Sequence, residues 1–133
     1  MFRRKEESAG AELGERVDSV LGAGLAFTGT LTGSGGVRIE GAFDGEIDLQ
    51  GLVVVGEQGR VTCKRLRAAT VIVAGSVRGD ITAQRLEITH SGRVWGDVVT
   101  AAFATEEGAF LRGQITMEER VELEPQRGAA ERE

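Results

Sequence analysis

The sequence predicts an all-β fold, a parallel β-helix of about six stacked coils, and three observations lead to this class. First, 20 of the 133 residues are glycine and one is proline, so the chain has many tight turns but no collagen-like period. Second, a pattern of five residues recurs along the middle of the chain: apolar, any residue, glycine, polar, apolar. Third, apolar residues alternate with other residues between these copies, which is the period of a β-strand.

The five-residue pattern returns about every seventeen residues. Its copies start at residues 27, 43, 61, 77, 94 and 111, so the steps between them are 16, 18, 16, 17 and 17 residues. The third copy is degenerate, because Cys63 replaces the glycine and Arg65 replaces the last apolar residue. We therefore expect a bulge or an outward-turned corner at Arg65, with Leu66 in the core position and Cys63 as a small buried residue.

A second repeated element follows the first in step. It consists of residue pairs two positions apart, namely Val37/Ile39, Val53/Val55, Val71/Val73, Leu86/Ile88 and Phe103/Thr105. One such unit cannot bury its apolar residues alone, but units stacked one strand spacing apart form a continuous core. The glycines of the pattern, at positions 29, 45, 79, 96 and 113, then occupy equivalent corners where the chain bends or approaches the next coil.

The charges divide the chain into a folded centre and two tails. Residues 118–133 contain six glutamates, three arginines and the only proline, Pro125. Residues 1–20 contain four basic and five acidic residues, with the basic ones concentrated at the start. We expect a flexible N-terminal tail over 1–16, a β-helical domain over 17–117 and an acidic, disordered C-terminal tail over 118–133.

Composition and motifs exclude several function classes. The net charge of −5 and the lack of basic runs with interleaved aromatic residues argue against a nucleic-acid partner. No Gly-x4-Gly-Lys-Ser/Thr motif is present, so no nucleotide is expected, and one histidine with one cysteine argues against a metal or other cofactor. A single cysteine without a signal peptide or spanning segment predicts a location in the cytoplasm.

The two ends of the predicted coil stack carry apolar residues where a polar cap would be needed to stop further stacking. No amphipathic capping helix is evident in the sequence. The predicted polymerisation interface consists of Leu21, Leu25 and Phe27 near one end and Phe103, Phe110, Leu111, Ile115 and Met117 near the other. The alternative is that these residues belong to ordinary terminal coils covered by the tails.

The first five residues predict membrane contact. Met1 and Phe2 offer insertable side chains, and Arg3, Arg4 and Lys5 can each gain about 1 kcal/mol near an anionic leaflet. One copy binds weakly, whereas a polymer that displays many copies binds through avidity. The alternative is an ordinary solvated terminus.

The stacked apolar-x-Gly-Asp-apolar units, the Glu-Glu-Gly-Ala-Phe-Leu-Arg-Gly stretch at 106–113 and the Met-Phe-Arg-Arg-Lys start together resemble the bactofilins. The resemblance implies a right-handed parallel β-helix that polymerises end to end, without nucleotide, into non-polar cytoskeletal filaments. It also implies a scaffold peripheral to the cytoplasmic membrane, held there by the N-terminal segment, that recruits proteins such as those of cell-wall synthesis. The coil at Cys63 to Arg65 and the large Trp95 depart from the family pattern.

A non-enzymatic, self-polymerising scaffold is therefore the predicted function. The first alternative is a soluble β-helical binding module for a glycan or a protein. The second is a sugar-hydrolysing enzyme, because Asp80 and Asp97 occupy the same repeat position and could stack as a carboxylate pair. Their column continues as Thr30, Glu46, Lys64 and Gln114, which favours an exposed polar ladder, and His90 in its polar corner is expected to face solvent.

Overall fold

A computed structural model describes residues 17–118, which contain eleven strands, paired in parallel throughout, and no helix. The strands are β1 (Val17–Leu21), β2 (Ala26–Gly33), β3 (Gly36–Ile39), β4 (Ala42–Leu49), β5 (Leu52–Val55), β6 (Arg60–Val73), β7 (Ser76–Ile88), β8 (Arg93–Trp95), β9 (Val98–Thr105), β10 (Phe110–Arg112) and β11 (Ile115–Met117). They form a parallel β-solenoid of about six turns, which confirms the predicted fold class. The predicted tails lie outside the described residues, apart from Glu118.

The strands build three faces that run along the stack. Face 1 consists of β8, β10 and the first parts of β2, β4, β6 and β7. Face 2 consists of β11, the start of β9, the ends of β2 and β4, and the middle of β6 and β7. Face 3 consists of β1, β3, β5 and the ends of β6, β7 and β9. Each face therefore has one layer for each coil, about 4.7–4.9 Å from the next.

The strand register confirms both predicted repeats. On face 1, Phe27 pairs with Phe43, and Val77 pairs with Val94. On face 3, every predicted pair stacks on the next in order, from Val37 on Val53 to Leu86 on Phe103. Residues one repeat apart in sequence are therefore direct neighbours in space, and each apolar position becomes a column.

Alternation of inward and outward residues creates the core. The inward columns of the middle coils are fully buried, as Val53, Val61 and Ile81 illustrate with exposed fractions of 0%, 1% and 1%. One polar side chain, Thr100, is buried among the described residues, and its hydroxyl donates to the Ala102 carbonyl at 2.9 Å. The sheet itself thus encloses the core, and the Thr100 hydroxyl that enters the core has a hydrogen-bond partner.

The degenerate third copy forms the predicted bulge. Gly45 pairs with Cys63, but Ile47 pairs with Leu66, so β6 holds one extra residue between these two positions. Leu66 is fully buried in the core column, Arg65 is exposed, and Cys63 is buried. All three predictions for this corner are confirmed.

The corner between faces 1 and 2 requires glycine for two reasons. Gly45, Gly79 and Gly96 have φ values of +150°, +139° and +145°, which side chains disfavour. A Cβ at these positions would also lie 1.7, 1.8 and 2.0 Å from a carbonyl oxygen of the preceding coil. At these three positions, stacking at one strand spacing therefore requires a residue without a side chain, whereas Cys63 occupies the same corner where β6 bulges.

Candidate polymerisation ends

Exposed apolar surface is concentrated in the first and last coils. Among the described residues, the large hydrophobic side chains that are exposed are Val20, Leu25, Phe27, Phe110, Ile115 and Met117. The first three belong to the first coil and the last three to the final coil. The coils between them bury their inward residues almost completely. The surface that a solenoid leaves uncovered thus coincides with the ends of the stack.

The N-terminal end is an open apolar hollow. The Phe27 ring stacks on Phe43 of the second coil, with centroids 5.1 Å apart and planes 10° apart, yet Phe27 stays 37% exposed. Leu21 and Leu31 lie half-buried beside it and complete the wall of a cavity of about 140 Å³. The hollow exists because β1 and β2 form the last described layer of the inward columns at this end.

The C-terminal end presents the last members of the same columns. Ile115 stacks on Val98, but Ile115 is 37% exposed whereas Val98 is 0% exposed. Met117 stacks on the buried Thr100 and is 54% exposed. Phe103 and Leu111 pack half-buried against the core beside them. Four of the five residues predicted near this end therefore converge on its apolar cross-section.

Each end also carries open strand edges. Within residues 17–118, on faces 1 and 2, β2 pairs only with β4, β10 only with β8, and β11 only with β9. On face 3, β1 pairs with β3 alone among the described strands. A parallel sheet edge offers backbone N–H and C=O groups to any further strand, so it favours addition of another layer.

The two remaining residues of the predicted interface, Leu25 and Phe110, lie in different places. Leu25 lies in the turn before β2 and is 56% exposed at the N-terminal end. Phe110 lies in an outward column of face 1, above Arg93, and its ring contacts Trp95 with centroids 5.6 Å apart. Phe110 thus lies at the rim of the last coil, outside its core cross-section.

Two further apolar residues of the first coil were missed from sequence. Leu31 lines the N-terminal hollow, and its position as the last residue of the first pattern copy could have identified it. Val20 lies in an outward column next to Arg38 and is 62% exposed. No repeat signal identifies Val20, because outward columns hold residues of every class.

The polar side chains at the corners make hydrogen bonds that join one coil to the next. The Asp97 amide donates to Asp80 Oδ1 at 3.3 Å, and the Gln114 amide donates to Asp97 Oδ1 at 3.1 Å. Each carboxylate thus accepts a backbone hydrogen bond from the next coil, as expected for a ladder. The His90 side chain is 68% exposed, as predicted, and its Nδ1 lies 3.4 Å from Glu106 Oε1.

Cys63 is a buried thiol rather than a reactive one. Burial raises its pKa from 9.0 to about 12, and the carboxylates of Asp80, Asp44 and Glu46 add to the shift. The thiolate, which is the nucleophile and the metal ligand, is therefore disfavoured at neutral pH. Within residues 17–118, no cluster of three or more His, Cys, Asp or Glu side chains is arranged to hold a metal ion.

The predicted membrane segment, Met1 to Lys5, lies outside the described residues. Within the described part of the chain, no helix has the length and apolarity needed to cross a membrane.

Comparison with known proteins gives consistent matches. Residues 19–124 match the family model Bactofilin, described as polymer-forming cytoskeletal. The Myxococcus xanthus (strain DK1622) bactofilin BacP is 32% identical over 133 residues, which cover 99% of this chain and 52% of BacP. The chain thus spans about half the length of that relative.

Two solved structures share the fold. The Thermus thermophilus bactofilin in its double helical filaments has a TM-score of 0.72 and 30% identity, covering 76% of this chain and 100% of that one. The cytoskeletal bactofilin BacA has a TM-score of 0.70 and 33% identity, covering 79% of this chain and 100% of that one. The repeat, the solenoid and the match over residues 19–124 lead to one conclusion: the chain belongs to the bactofilin family of polymer-forming cytoskeletal proteins.

Proposed function

We propose that this protein assembles end to end, without nucleotide, into non-polar filaments at the inner face of the cytoplasmic membrane. The observation that carries the proposal is the contrast between sealed middle coils and open apolar ends. Six large hydrophobic side chains are exposed in residues 17–118, and all six lie in the first or last coil. The Thermus thermophilus relative forms double helical filaments, which supports assembly into a polymer.

Stacking of ends gains both apolar burial and backbone pairing. Full burial of one Ile, Phe or Met side chain is worth about 1.5–3 kcal/mol, so completing the burial of Phe27, Ile115 and Met117 contributes a part of that for each. The open edges of β1, β2, β10 and β11 gain partners in the same step. No term in this balance involves a bound nucleotide.

A non-polar filament requires like ends to meet, so that each contact is isologous. The family resemblance supports this arrangement. It makes a clear prediction for a chain with one blocked end: the other end still pairs, and the product is a dimer. A head-to-tail contact uses both ends at once, so blocking either one leaves monomers.

Electron microscopy of the purified chain without nucleotide tests the proposal. Filaments are expected for the unmodified chain, and Phe103→Arg and Leu111→Arg are expected to give short soluble species because each places a charge in the C-terminal cross-section. Ala104→Arg is the matched control, since its side chain points outward from the same strand. Long filaments for both variants would exclude the C-terminal end as a contact.

Light scattering after size-exclusion chromatography then distinguishes the two polarities. Ile115→Arg alters a residue already 37% exposed, so the fold is expected to survive. Dimers support like-with-like stacking, and monomers contradict it. If the unmodified chain itself stays monomeric at all concentrations, the soluble binding module becomes the better description.

We propose Met1, Phe2, Arg3, Arg4 and Lys5 as the membrane contact of the filament. Their support is their chemistry, two insertable side chains followed by three cations. In a liposome pelleting assay, deletion of residues 1–5 is expected to reduce binding to anionic vesicles while filaments persist. Unchanged pelleting would remove these residues from the proposal.

A further inference from the structure

Face 1 gathers basic and aromatic side chains that are scattered in the sequence. Its two outward columns are Ala26, Ala42, Arg60, Ser76, Arg93 and Phe110, and Thr28, Asp44, Thr62, Arg78, Trp95 and Arg112. These positions hold four arginines and one carboxylate, within a chain whose net charge is −5. The four arginines, Trp95 and Phe110 are hereafter the basic-aromatic surface.

The basic-aromatic surface occupies the last four coils of face 1. Arg60, Arg78, Arg93 and Arg112 are exposed, and they alternate between the two columns from one coil to the next. The one acidic side chain of the columns, Asp44, lies one coil outside the surface. The other two faces mix both signs: Asp48 lies beside Arg67 on face 2, and Arg38 pairs with Glu40 and Arg85 with Glu87 on face 3. Only face 1 therefore presents an unbalanced positive charge among the described residues.

The aromatic side chains are arranged for contact with an interface rather than for stacking. The Arg78 guanidinium lies 4.7 Å from the centre of the Trp95 ring, and Phe110 packs on Trp95 from the next coil. Trp95 is thus engaged by both neighbours in the stack, which disfavours insertion of a base or a sugar ring against it. Phe110 stays 42% exposed at the outer side. Arginine with Trp and Phe at a flat surface is a combination suited to lipid headgroups, where aromatic rings occupy the interfacial region.

We infer that the basic-aromatic surface binds an anionic lipid bilayer directly and aligns the long axis of the solenoid with the membrane plane. The positive charge, the flat sheet and the exposed Phe110 all fit an extended anionic surface. This contact is additional to the N-terminal segment of the proposed function and does not require it. Because face 1 runs along the stack, polymerisation multiplies the contact through avidity.

The tryptophan gives a direct local readout, because Trp95 is the only tryptophan of the chain. The full chain is titrated with vesicles of phosphatidylcholine and phosphatidylglycerol whose acyl chains carry bromine, which quenches indole fluorescence at close range. We expect a blue shift and quenching of Trp95 emission, and neither change with phosphatidylcholine alone. Unaltered emission on vesicles that pellet the chain would show that face 1 points away from lipid and would overturn the inference.

Charge removal tests the arginines with a matched control. Arg93→Gln with Arg112→Gln is expected to weaken binding to the anionic vesicles about 25-fold, from about fivefold for each arginine. Lys64→Gln with Arg65→Gln removes the same two charges from the exposed corner beside face 2 and should preserve the quenching. Equal losses in both pairs would reduce the effect to net charge and contradict the inference. Electron microscopy of each sample confirms that the polymer state is matched.

A full-chain variant with Arg3→Gln, Arg4→Gln and Lys5→Gln tests the N-terminal contact separately from the basic-aromatic surface. We expect this variant to retain Trp95 quenching at higher lipid concentration. If quenching disappears with the N-terminal change alone, the basic-aromatic surface is not an independent contact, while the proposed function stands. If the arginine pair abolishes binding and the N-terminal change does not, the inference stands and the N-terminal proposal fails. A soluble oligonucleotide that shifts Trp95 emission where vesicles do not would identify a nucleic-acid surface and overturn the lipid assignment.

Discussion

Phe27 and Phe43 occupy the same column of face 1, yet Phe27 is 37% exposed and Phe43 is 2% exposed. At the opposite end, Ile115 and Val98 share a column with exposed fractions of 37% and 0%. The residues of each pair are similar in kind, so the difference in exposure comes from the presence or absence of a further coil within residues 17–118. The comparison teaches that the ends are unfinished core, so the end-to-end polymerisation proposed above continues the interaction that folds the chain.

The largest expected effect comes from a charge placed in the middle of a column, compared with the same charge placed at its end. Ile81→Arg buries an unpaired cation where the exposed fraction is 1%, so we expect a loss of more than about 4 kcal/mol and an unfolded chain. Ile115→Arg should cost less than about 1 kcal/mol in the isolated subunit, since the arginine reaches solvent. Thermal denaturation followed by circular dichroism measures both. A stable Ile81→Arg variant would contradict the idea that neighbouring coils seal the middle of the column and leave its end open.

An intermediate effect is expected at the glycine corner. Gly45→Ala combines a φ of +150° with a Cβ only 1.7 Å from the Gly29 carbonyl oxygen, so we expect a loss of more than about 3 kcal/mol. Gly29 has a similar φ of +145° but lies in the first described coil, and the nearest described contact of its Cβ would be Phe27 at 3.5 Å. Gly29→Ala should therefore cost about 1–2 kcal/mol from backbone strain alone. Urea denaturation of both variants gives the two values, and equal losses would exclude the carbonyl contact as the cause.

The smallest effect concerns the thiol of the third coil. Because burial raises the pKa of Cys63 from 9.0 to about 12, its contribution to stability is complete below pH 9 and is lost as the pH rises toward 12. The chain has no tyrosine, and its lysines are Lys5 and Lys64, so few other side chains titrate there. Unfolding followed from pH 8 to 11 should show a decline that Cys63→Ala removes. A thiol placed at the exposed end by Thr116→Cys should react with a disulfide reagent at pH 8, whereas Cys63 should not.

Inward columns were predictable from the sequence because each one repeats a physical requirement. Val61, Val77 and Val94 must all fill the same place in successive coils, so their spacing along the chain is enough to indicate a solenoid. The substitution of Leu66 for Arg65 in the core was predictable for the same reason, since a column tolerates no gap. The glycine corner followed from the same argument.

Outward columns were less predictable because solvent imposes no repeated requirement on them. Arg60 and Arg93 are 33 residues apart, and Arg78 and Arg112 are 34 apart, which is two repeats in each case. Their union on one face becomes evident only when the register is known. Phe110 was predicted at an end from its position in the last coil, and only the pairing of β10 with β8 shows that it extends outward. The membrane segment at Met1 to Lys5 stays a prediction.

The bulge at Cys63 to Arg65 shows that the rise of a coil along the stack does not depend on the number of residues in that coil. One extra residue enters β6, yet Val61 still stacks on Val77 and Leu66 on Ile81, so the insertion is absorbed within one corner. The rise of each coil is set by the strand spacing of about 4.8 Å and not by the number of residues in the coil. Subunits that differ by insertions at their corners therefore keep the same axial repeat. In the end-to-end filament proposed above, chains with such insertions therefore stack as long as their end coils match.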